Sequence, residues 1–427
     1  MYWPAARVYI EYLTYALATL HTYHDHSAVA PNPLLAGRRA LRIAILTTGR
    51  FYVCELAREL DARGHQVRLY SAVPPWRLRK FGIPDRCTRW LGPYIAPLML
   101  ASRAPLGPRM MELCNMMTAE SIDAICARVI EPCDVFIGLA TMSRKTIQAA
   151  RRKYGALTFV ERANRHVLSQ EAILQEASAR VAGAASRPRL RRSVDRELAE
   201  YQLADVVSVP AGHVIDSFEE YGFKRSRLFC NPFGVELEMF PPTPAPDREP
   251  RRLLMAGTWG VRKGADVLLE AWRRLKARPE FVHVGSVLDL PLPTEPGFKH
   301  YAPVDITRLV DFYASAHLFV LPSREEGMAL VQLQALACGL PIVCTSRTGG
   351  ADLRSFVRSP DSVRVVQPDD PEALASAIEQ ALVEVPTPGT MRDLLGSRRP
   401  DLSWAAYARR YEAKIYDLLA ERGQLPE

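Results

Sequence analysis

The chain has 427 residues, of which 48% are hydrophobic, and this is enough for two domains that each have a sizeable core. The net charge of +8 favours anionic partners, but it is spread along the chain and does not predict nucleic-acid binding. The eight cysteines show no C-x-x-C pair and no regular spacing. This excludes the usual zinc and disulfide patterns and fits reduced thiols in the cytosol.

Residues 8–20 form an apolar, aromatic stretch that Glu11 interrupts. The stretch is shorter than the roughly 20 residues that span a bilayer, and it lacks the positive start and the cleavage site of a signal peptide. Three interpretations remain: an interfacial amphipathic helix, a helix packed on the domain, or a translation start assigned too early. We treat residues 1–38 as an N-terminal extension and predict no membrane-spanning helix.

A Rossmann-like domain is predicted for residues 39–235. The β-rich run "LRIAILT" at 41–47 precedes a helix from about 51 to 63 that Gly64 ends, and together they form a βα unit. Further strands are predicted at 66–73, 133–139, 157–162 and 206–210, with helices that include 143–153 and 193–202. Short apolar strands that alternate with helices predict an α/β fold with a parallel, doubly wound sheet.

A proline-rich segment then marks a domain boundary. Residues 232–250 hold six prolines and can form neither a central strand nor a long helix, so 236–250 is predicted to be an interdomain linker. The domain predicted for 251–402 repeats the pattern, with strands at 251–257, 280–286, 317–323, 340–346 and 362–368. The two domains are expected to face a cleft. The amphipathic helix at 402–423, within the C-terminal segment 403–427, is expected to cross back to the first domain.

A glycine-rich loop, "GTWGVRKG" at 257–264, lies between a predicted strand and a predicted helix. Glycines such as Gly257 let the backbone approach a ligand, the helix start offers N–H groups, and Arg262 and Lys263 add full charges. The loop therefore predicts a polyanion site, with an ordinary helix start and two solvated cations as the alternative. It is neither a Walker loop nor a G-x-G-x-x-G fingerprint.

The stretch "PSREEGMALVQLQALACGLPIV" at 322–343 offers a second helix start, at Gly327, Met328 and Ala329. Two helix starts at neighbouring strand ends can share one diphosphate. The turn "TSRTGGADL" at 345–353, with Gly349 and Gly350, is a third phosphate-compatible segment.

Two polar residues of this stretch, Glu326 and Gln334, are predicted to meet the two ends of a nucleotide-diphosphate. They lie about 12 Å apart along the helix and within roughly 80° of one face. One could reach a sugar and the other a ribose. A carboxylate could accept bonds from both ribose hydroxyls, whereas Gln334 offers one acceptor oxygen and an NH₂ donor.

The chain resembles the retaining glycosyltransferases of family 4, of the group 1 type, in three segments and in their order and spacing: "AGTWGVRKG", "PSREEGMALVQLQALACGLPIV" and "TSRTGG". Proteins of that family have the GT-B fold of two Rossmann-like domains. The resemblance covers nearly all of 251–421. It is looser in the first domain, through "LRIAILTTGR", "ADVVSVPAGHVIDSF" and "NPFGVELEMF". It implies that Arg262 and Lys263 bind the donor diphosphate, that Glu326 touches the donor sugar and that Gln334 holds the ribose.

The chain departs from the family pattern at three places. Gln334 stands where the family has a second glutamate, and Thr258 stands where an arginine is frequent. The first loop of the chain reads "TTGRFY", so Gly49 and Arg50 occupy the acceptor-side position where the family carries paired glycines.

The segment "VERANRHVLSQ" at 160–170 follows a predicted strand of the first domain and places Glu161, Arg162 and His166 where open α/β sheets bind ligands. Glu161 and Arg162 are expected on the acceptor side, with pairing to each other as the alternative. The resemblance implies that His166 contacts the donor sugar or the reacting centre. The alternative for His166 is a helix-start histidine bonded to local backbone.

The resemblance implies that a hexosyl group moves, with retention, from a nucleotide-diphospho sugar to an acceptor. Charge on the leaving diphosphate would be stabilised without metal or cofactor, and the chain has no D-x-D triplet. The Leu-, Met- and Pro-rich segment 90–119 and the basic run 187–192 suit a lipid-linked glycan, in polysaccharide or glycolipid assembly at the inner membrane face. Core helices and a solvated loop are the alternatives. The competing class is a catalytically weakened GT-B protein that binds nucleotide sugars as a partner subunit.

Overall fold

The computed structural model describes residues 39–101, 107–181 and 189–424. Within them the chain forms two parallel sheets, and we call the parts that carry them the first and the second domain. The first sheet contains β1 Arg42–Thr47, β2 Gln66–Ser71, β3 Thr88–Trp90, β4 Val135–Leu139, β5 Leu157–Glu161, β6 Val206–Val209 and β7 Leu228–Cys230. The second contains β8 Arg252–Ala256, β9 Glu280–Val284, β10 Phe298–Tyr301, β11 Leu318–Leu321, β12 Ile342–Thr345 and β13 Val363–Val366.

Both sheets have the doubly wound order. The strands of the first run β3-β2-β1-β4-β5-β6-β7, and those of the second run β10-β9-β8-β11-β12-β13. The order reverses between β1 and β4 in the first sheet and between β8 and β11 in the second. Ligands of open α/β sheets bind at such points, beyond the carboxyl ends of the strands.

Helices cover the sheets and supply the crossovers between parallel strands. Those of the first domain are α1 Val53–Ala62, α2 Pro75–Leu78, α3 Gly92–Ala101, α4 Pro108–Val129, α5 Arg144–Tyr154, α6 Val167–Arg180, α7 Arg191–Leu203 and α8 Gly212–Glu219. Those that follow β8 are α9 Ala265–Arg274, α10 Ile306–Ser315, α11 Leu330–Ala337, α12 Gly350–Leu353, α13 Pro371–Val383 and α14 Trp404–Glu421. None of the helices in the described ranges is long and apolar enough to span a membrane.

The core lies on both faces of each sheet, as parallel strands require. Successive side chains of a strand point to opposite faces. In β8, Leu253 and Met255 belong to the apolar cluster under α9 and α13, whereas Leu254 and Ala256 belong to the large cluster that continues into the first domain. The two domains therefore share continuous apolar packing.

Helix α14 crosses back from the second domain to the first, which confirms the prediction for the C-terminal segment. The hydroxyl of Tyr411 donates to buried Glu161 at 2.7 Å, and that of Tyr416 donates to the Arg39 carbonyl at 2.7 Å. Glu412 lies 2.8 Å from the ring of His65. These contacts attach the end of the chain to the first sheet.

Candidate active site at the domain boundary

The candidate site lies where the loops after β8 and β11 meet, at the point where the order of the second sheet reverses. Gly257 follows β8 with φ +128°, a conformation that favours glycine. Gly264 has φ +66°, and a Cβ atom there would lie 2.1 Å from the carbonyl oxygen of Pro322. The two loops therefore pack backbone to backbone, which only glycine permits at this position.

Arg324 connects the loop after β11 to the loop after β8. Its backbone N–H donates to the carbonyl of Arg262 at 2.9 Å, and its guanidinium donates to both oxygens of Asp266 at 2.7 Å and to the carbonyl of Val261 at 2.7 Å. The residue is only 4% exposed. No role was predicted for Arg324 from the sequence, although an arginine close after a buried strand was a usable signal.

The fastened loops bring together Arg262, Lys263 and Glu326, as the sequence analysis expected. Nη1 of Arg262 lies 3.2 Å from Glu325, and Nη2 lies 3.3 Å from Glu326. The ammonium of Lys263 also contacts the Glu326 carboxylate. The cluster thus pairs two cations with two adjacent carboxylates.

The charges of this cluster shape its acid–base behaviour. Burial opposes ionisation of Glu326, but Arg262 and Lys263 outweigh it and hold the pKa of this carboxyl below its ordinary value. Burial lowers the pKa of Lys263, against the opposing effect of Glu326. A polyanion that reached the cluster would compete with the carboxylates for both cations.

The first domain contacts the same loops. The Nε2–H of His213 donates to the carbonyl of Glu326 at 3.0 Å, and the amide of Gln170 donates to Glu325 at 2.9 Å. Burial is also the main cause of the lowered pKa of His213. Neither residue was predicted to have a role, because their contacts depend on how the domains are placed.

Gly327 lies at the tightest point of this boundary. A Cβ atom there would lie 1.6 Å from the carbonyl oxygen of Ala163 in the first domain. Helix α11 begins three residues later, at Leu330, with Ala329 as its N-cap. Gly327 and Met328 therefore belong to the loop that precedes the helix rather than to a helical turn, and Gly327 directly follows Glu326 of the cluster.

Gln334 is buried in α11 and is 4% exposed. Its side-chain oxygen accepts a hydrogen bond from the hydroxyl of Tyr313 at 3.0 Å. Its proposed ribose contact remains a prediction.

In the third predicted segment, Gly349 has φ +77° and caps the short helix α12, and a Cβ atom on Gly350 would lie 2.2 Å from the sulfur of Cys344.

The expectation that His166 faces the cleft is wrong. The residue is 1% exposed, and its ring lies in an aromatic cluster of the first domain, stacked on Tyr221 at 4.3 Å and edge-on to Phe218 at 5.0 Å between ring centroids. Burial lowers its pKa to about 4. The residue is the N-cap of helix α6, and the histidine that reaches the loop of Glu326 is His213.

The two residues that were expected on the acceptor side, Glu161 and Arg162, also make buried contacts. Glu161 accepts from tyrosines of α14, and burial raises its pKa. Arg162 pairs with Glu197 at 2.8 Å rather than with Glu161. Glu161 is thus an anchor for α14, which corrects its placement in the cleft.

The loop after β1 contains Gly49 and Arg50. The guanidinium of Arg50 donates to Glu55 at 2.8 Å and stacks over the ring of Phe81 at 3.7 Å. The carbonyl of Gly49 accepts from the Thr47 hydroxyl at 2.8 Å. Both residues lie at the carboxyl end of the first sheet, where the sequence analysis placed them, and their role towards an acceptor remains a prediction.

Sequence comparison relates the second domain to sugar-transferring proteins. Residues 250–384 match the family "Glycosyl transferases group 1". The chain is 32% identical over 213 residues to the D-inositol 3-phosphate glycosyltransferase of Geodermatophilus obscurus, covering 42% of this chain and 45% of that protein. It is 31% identical over 167 residues to the putative teichuronic acid biosynthesis glycosyltransferase TuaC of Bacillus subtilis, covering 37% of this chain and 41% of that protein. The matched region thus spans about half the length of these relatives.

Similar solved structures cover most of the chain. Sucrose-phosphate synthase from Thermosynechococcus elongatus aligns with a TM-score of 0.61 at 18% identity, over 89% of this chain and 100% of that one. The lipopolysaccharide outer core galactosyltransferase WaaB aligns with a TM-score of 0.58 at 12% identity, over 89% of this chain and 100% of that one. At this identity the likeness concerns the fold, which is GT-B. Residues 250–384 therefore match the glycosyl transferases group 1 family, within a chain of the GT-B fold.

Proposed function

We propose that this protein is a retaining glycosyltransferase that moves a hexosyl group from a nucleotide-diphospho sugar to an acceptor. The observation that carries the proposal is the cluster of Arg262, Lys263 and Glu326, which joins two loops at the point where the order of the second sheet reverses. The matched family and the glycosyltransferase names of the relatives support it. So does Anabaena HepE, of similar fold, whose solved structure is a complex with UDP and glucose.

The donor diphosphate would exchange partners with the carboxylates. Arg262 and Lys263 would turn from Glu326 to the phosphate oxygens, where they stabilise the negative charge that grows as the glycosidic bond breaks. Glu326 would then be released to accept hydrogen bonds from the donor sugar. These groups supply the charge stabilisation from the chain itself, so no metal ion is assigned to the proposed reaction.

Retention in this proposal follows from attack on the face that the diphosphate leaves. The departing phosphate oxygen accepts the proton of the acceptor hydroxyl, while Arg262 and Lys263 hold the diphosphate in place. A double displacement would need a carboxylate nucleophile on the opposite face of the sugar. The Nε2–H of His213 is bonded to the Glu326 carbonyl at 3.0 Å and helps to fix the loop that carries Glu326.

The test is a thermal-shift screen with UDP-glucose, UDP-galactose, GDP-mannose and ADP-glucose, followed by product analysis with the best binder. We expect one of them to raise the melting temperature of the wild type but not that of Lys263→Ala. Lys276→Ala is the matched control, because Lys276 is an exposed lysine away from the cluster. An equal shift in wild type and Lys263→Ala would contradict the assigned site. Binding without turnover would instead support a nucleotide-sugar-binding partner subunit, which the replacement of the family's second glutamate by Gln334 favours.

The acceptor is proposed to be a lipid-linked glycan, reached from the inner face of a membrane. Exposed apolar side chains of α3 and α4 support this, among them Tyr94 at 70%, Leu100 at 62% and Met110 at 50% exposure. The arginines that flank the start of α7 contribute less free charge than the sequence suggested. Arg189 pairs with Glu197 and Arg192 pairs with Glu120, each at 2.7 Å.

Sedimentation with vesicles tests this acceptor proposal. Vesicles of phosphatidylcholine with and without phosphatidylglycerol would be compared at low and high salt, using wild type and a Tyr94→Ser/Leu100→Ser variant. We expect the wild type to sediment with anionic vesicles at low salt and the variant to sediment less. A wild type that stays in the supernatant and glycosylates a soluble acceptor as fast as a lipid-linked one would refute it. Residues 1–38, 102–106 and 187–188, which the prediction also used, lie outside the described residues.

A further inference from the structure

Glu325, the neighbour of Glu326, is a carboxylate without any exposed surface. One of its oxygens, Oε2, accepts from Nη1 of Arg262 at 3.2 Å and from Nε2 of Gln170 at 2.9 Å. The other, Oε1, has no hydrogen-bond partner among the described residues. Burying a carboxylate is costly unless it is paired. The buried carboxylate of Glu325 is therefore stabilised by Arg262 of the second domain and Gln170 of the first, which both bond Oε2.

Arg262 is held at both ends of its guanidinium group. Nη1 faces Glu325 and Nη2 faces Glu326, whose oxygens lie 3.3 and 3.4 Å away. A planar guanidinium bound at two nitrogens has a fixed orientation. When a diphosphate draws Arg262 away from Glu326, the contact of Nη1 with Glu325 can persist and keep that orientation.

Gln170 connects Glu325 to the first domain by a hydrogen bond. Its amide oxygen accepts from Nη2 of Arg162 at 2.8 Å, so its nitrogen is directed at Glu325. Arg162 is fixed in turn by Glu197, which has no exposed surface, at 2.8 Å. A chain of hydrogen bonds thus runs from the interior of the first domain to the guanidinium of Arg262.

We propose that Glu325 is a positioning residue that orients Arg262 towards the leaving diphosphate, and that Gln170 holds Glu325 in place from the first domain. The inference rests on the proposed function, because it concerns the orientation of Arg262, the cation that is proposed to bind the donor diphosphate. A negative charge beside a diphosphate weakens binding of that anion. Glu325 should therefore lower the affinity for the diphosphate while it raises the rate.

Two substitutions separate these effects. Glu325→Gln keeps the shape and an acceptor oxygen but removes the charge, so it should bind the tightest of UDP, GDP and ADP at least as well as wild type. Its turnover should nevertheless fall roughly tenfold, because Arg262 loses its charged partner. Gln170→Leu leaves Glu325 charged and should lose turnover to a similar extent without any gain in affinity. The double variant should be no slower than the slower single variant, since both act through one contact.

Turnover is measured as release of nucleoside diphosphate from the nucleotide sugar, and affinity by calorimetry. Gln380→Leu, at an exposed glutamine of α13, is the control and should behave as wild type. Gln170→Glu adds a second test, because it keeps the pairing with Arg162 but places a carboxylate against Glu325. It should be slower than Gln170→Leu, and thermal midpoints confirm that each variant is folded.

The outcomes distinguish this inference from the proposed function. Affinity that is kept or increased in Glu325→Gln, together with slower turnover, supports positioning. Unchanged turnover, or affinity and turnover that fall in proportion, overturns it. Should Lys263→Ala lose binding while Gln170→Leu and Glu325→Gln match wild type in every respect, only the positioning role fails. A wild type that binds none of the three nucleotides refutes the proposed function and the positioning role with it.

Discussion

The substitution Gly327→Ala should separate the two domains at the candidate site. The added Cβ atom would lie 1.6 Å from the carbonyl oxygen of Ala163, whereas Cβ atoms essentially never approach other atoms closer than 3.0 Å. The carbonyl oxygen is a backbone atom and the position of a Cβ atom is fixed by its own backbone, so no side-chain rotation relieves the clash. The loop of the second domain and the segment after β5 of the first must therefore move apart.

The magnitude follows from the contacts that this movement breaks. Beside Gly327, Gln170 donates to Glu325 at 2.9 Å and His213 to the Glu326 carbonyl at 3.0 Å. Neither bond survives an added separation of more than half an ångström. Each is worth on the order of 1 kcal/mol, so losing both should shift the balance towards separated domains by about 10- to 100-fold. A comparable loss of kcat/KM is expected.

Steady-state kinetics with the best nucleotide sugar measure this loss, and small-angle scattering measures the expected increase in the radius of gyration. Gly107→Ala is the matched control, because no atom of the described residues lies within 4 Å of the Cβ that it would add. Wild-type kcat/KM and scattering in Gly327→Ala would refute the reasoning. Such a result would mean that the close approach of the domains at Ala163 is not required for turnover.

The remaining predictions concern single side chains. Lys263→Ala should lower kcat by roughly 100-fold. Because burial lowers the pKa of Lys263, kcat/KM of the wild type should decline as pH rises through a value below 10.5, and Lys263→Arg should move that decline to higher pH. Gln334→Glu should stay active and tighten donor binding, whereas Gln334→Ala should raise the donor KM more than it lowers kcat; an unchanged KM would exclude a ribose contact. Tyr411→Phe should lower the free energy of unfolding by about 1 kcal/mol and leave the donor KM unchanged, as urea titration and kinetics would show.

Most strands were predictable because each is a short apolar run between turn residues. The strands that sequence analysis missed are β3, β7 and β10, and all three lie at sheet edges. An edge strand is paired on one side only and needs less apolar sequence. In β10, for example, side chains alternate between half-buried and exposed. The hydrophobic pattern therefore predicts central strands better than edge strands.

The loops after β8 and β11 were predictable for a different reason. Their residues follow directly on strands, and the carboxyl ends of neighbouring parallel strands converge, so Arg262, Lys263 and Glu326 could be placed together from chain order. The same rule failed for Glu161 and His166. It places a residue at the edge of a sheet but does not fix the direction of its side chain. Tyr411, whose hydroxyl donates a hydrogen bond to Glu161, lies 250 residues further along the chain.

Contacts between the domains were the least predictable, yet they bear most directly on the site. Gln170 and His213 gain their roles only when the first domain is placed against the loop of Glu325 and Glu326. Because Arg262 is paired with both carboxylates, its orientation is fixed before any diphosphate is bound. A diphosphate that replaces Glu326 as its partner would both take up the cation and release the carboxylate for the sugar. In the proposed reaction, binding of the leaving group and recognition of the sugar are thus coupled through one guanidinium group.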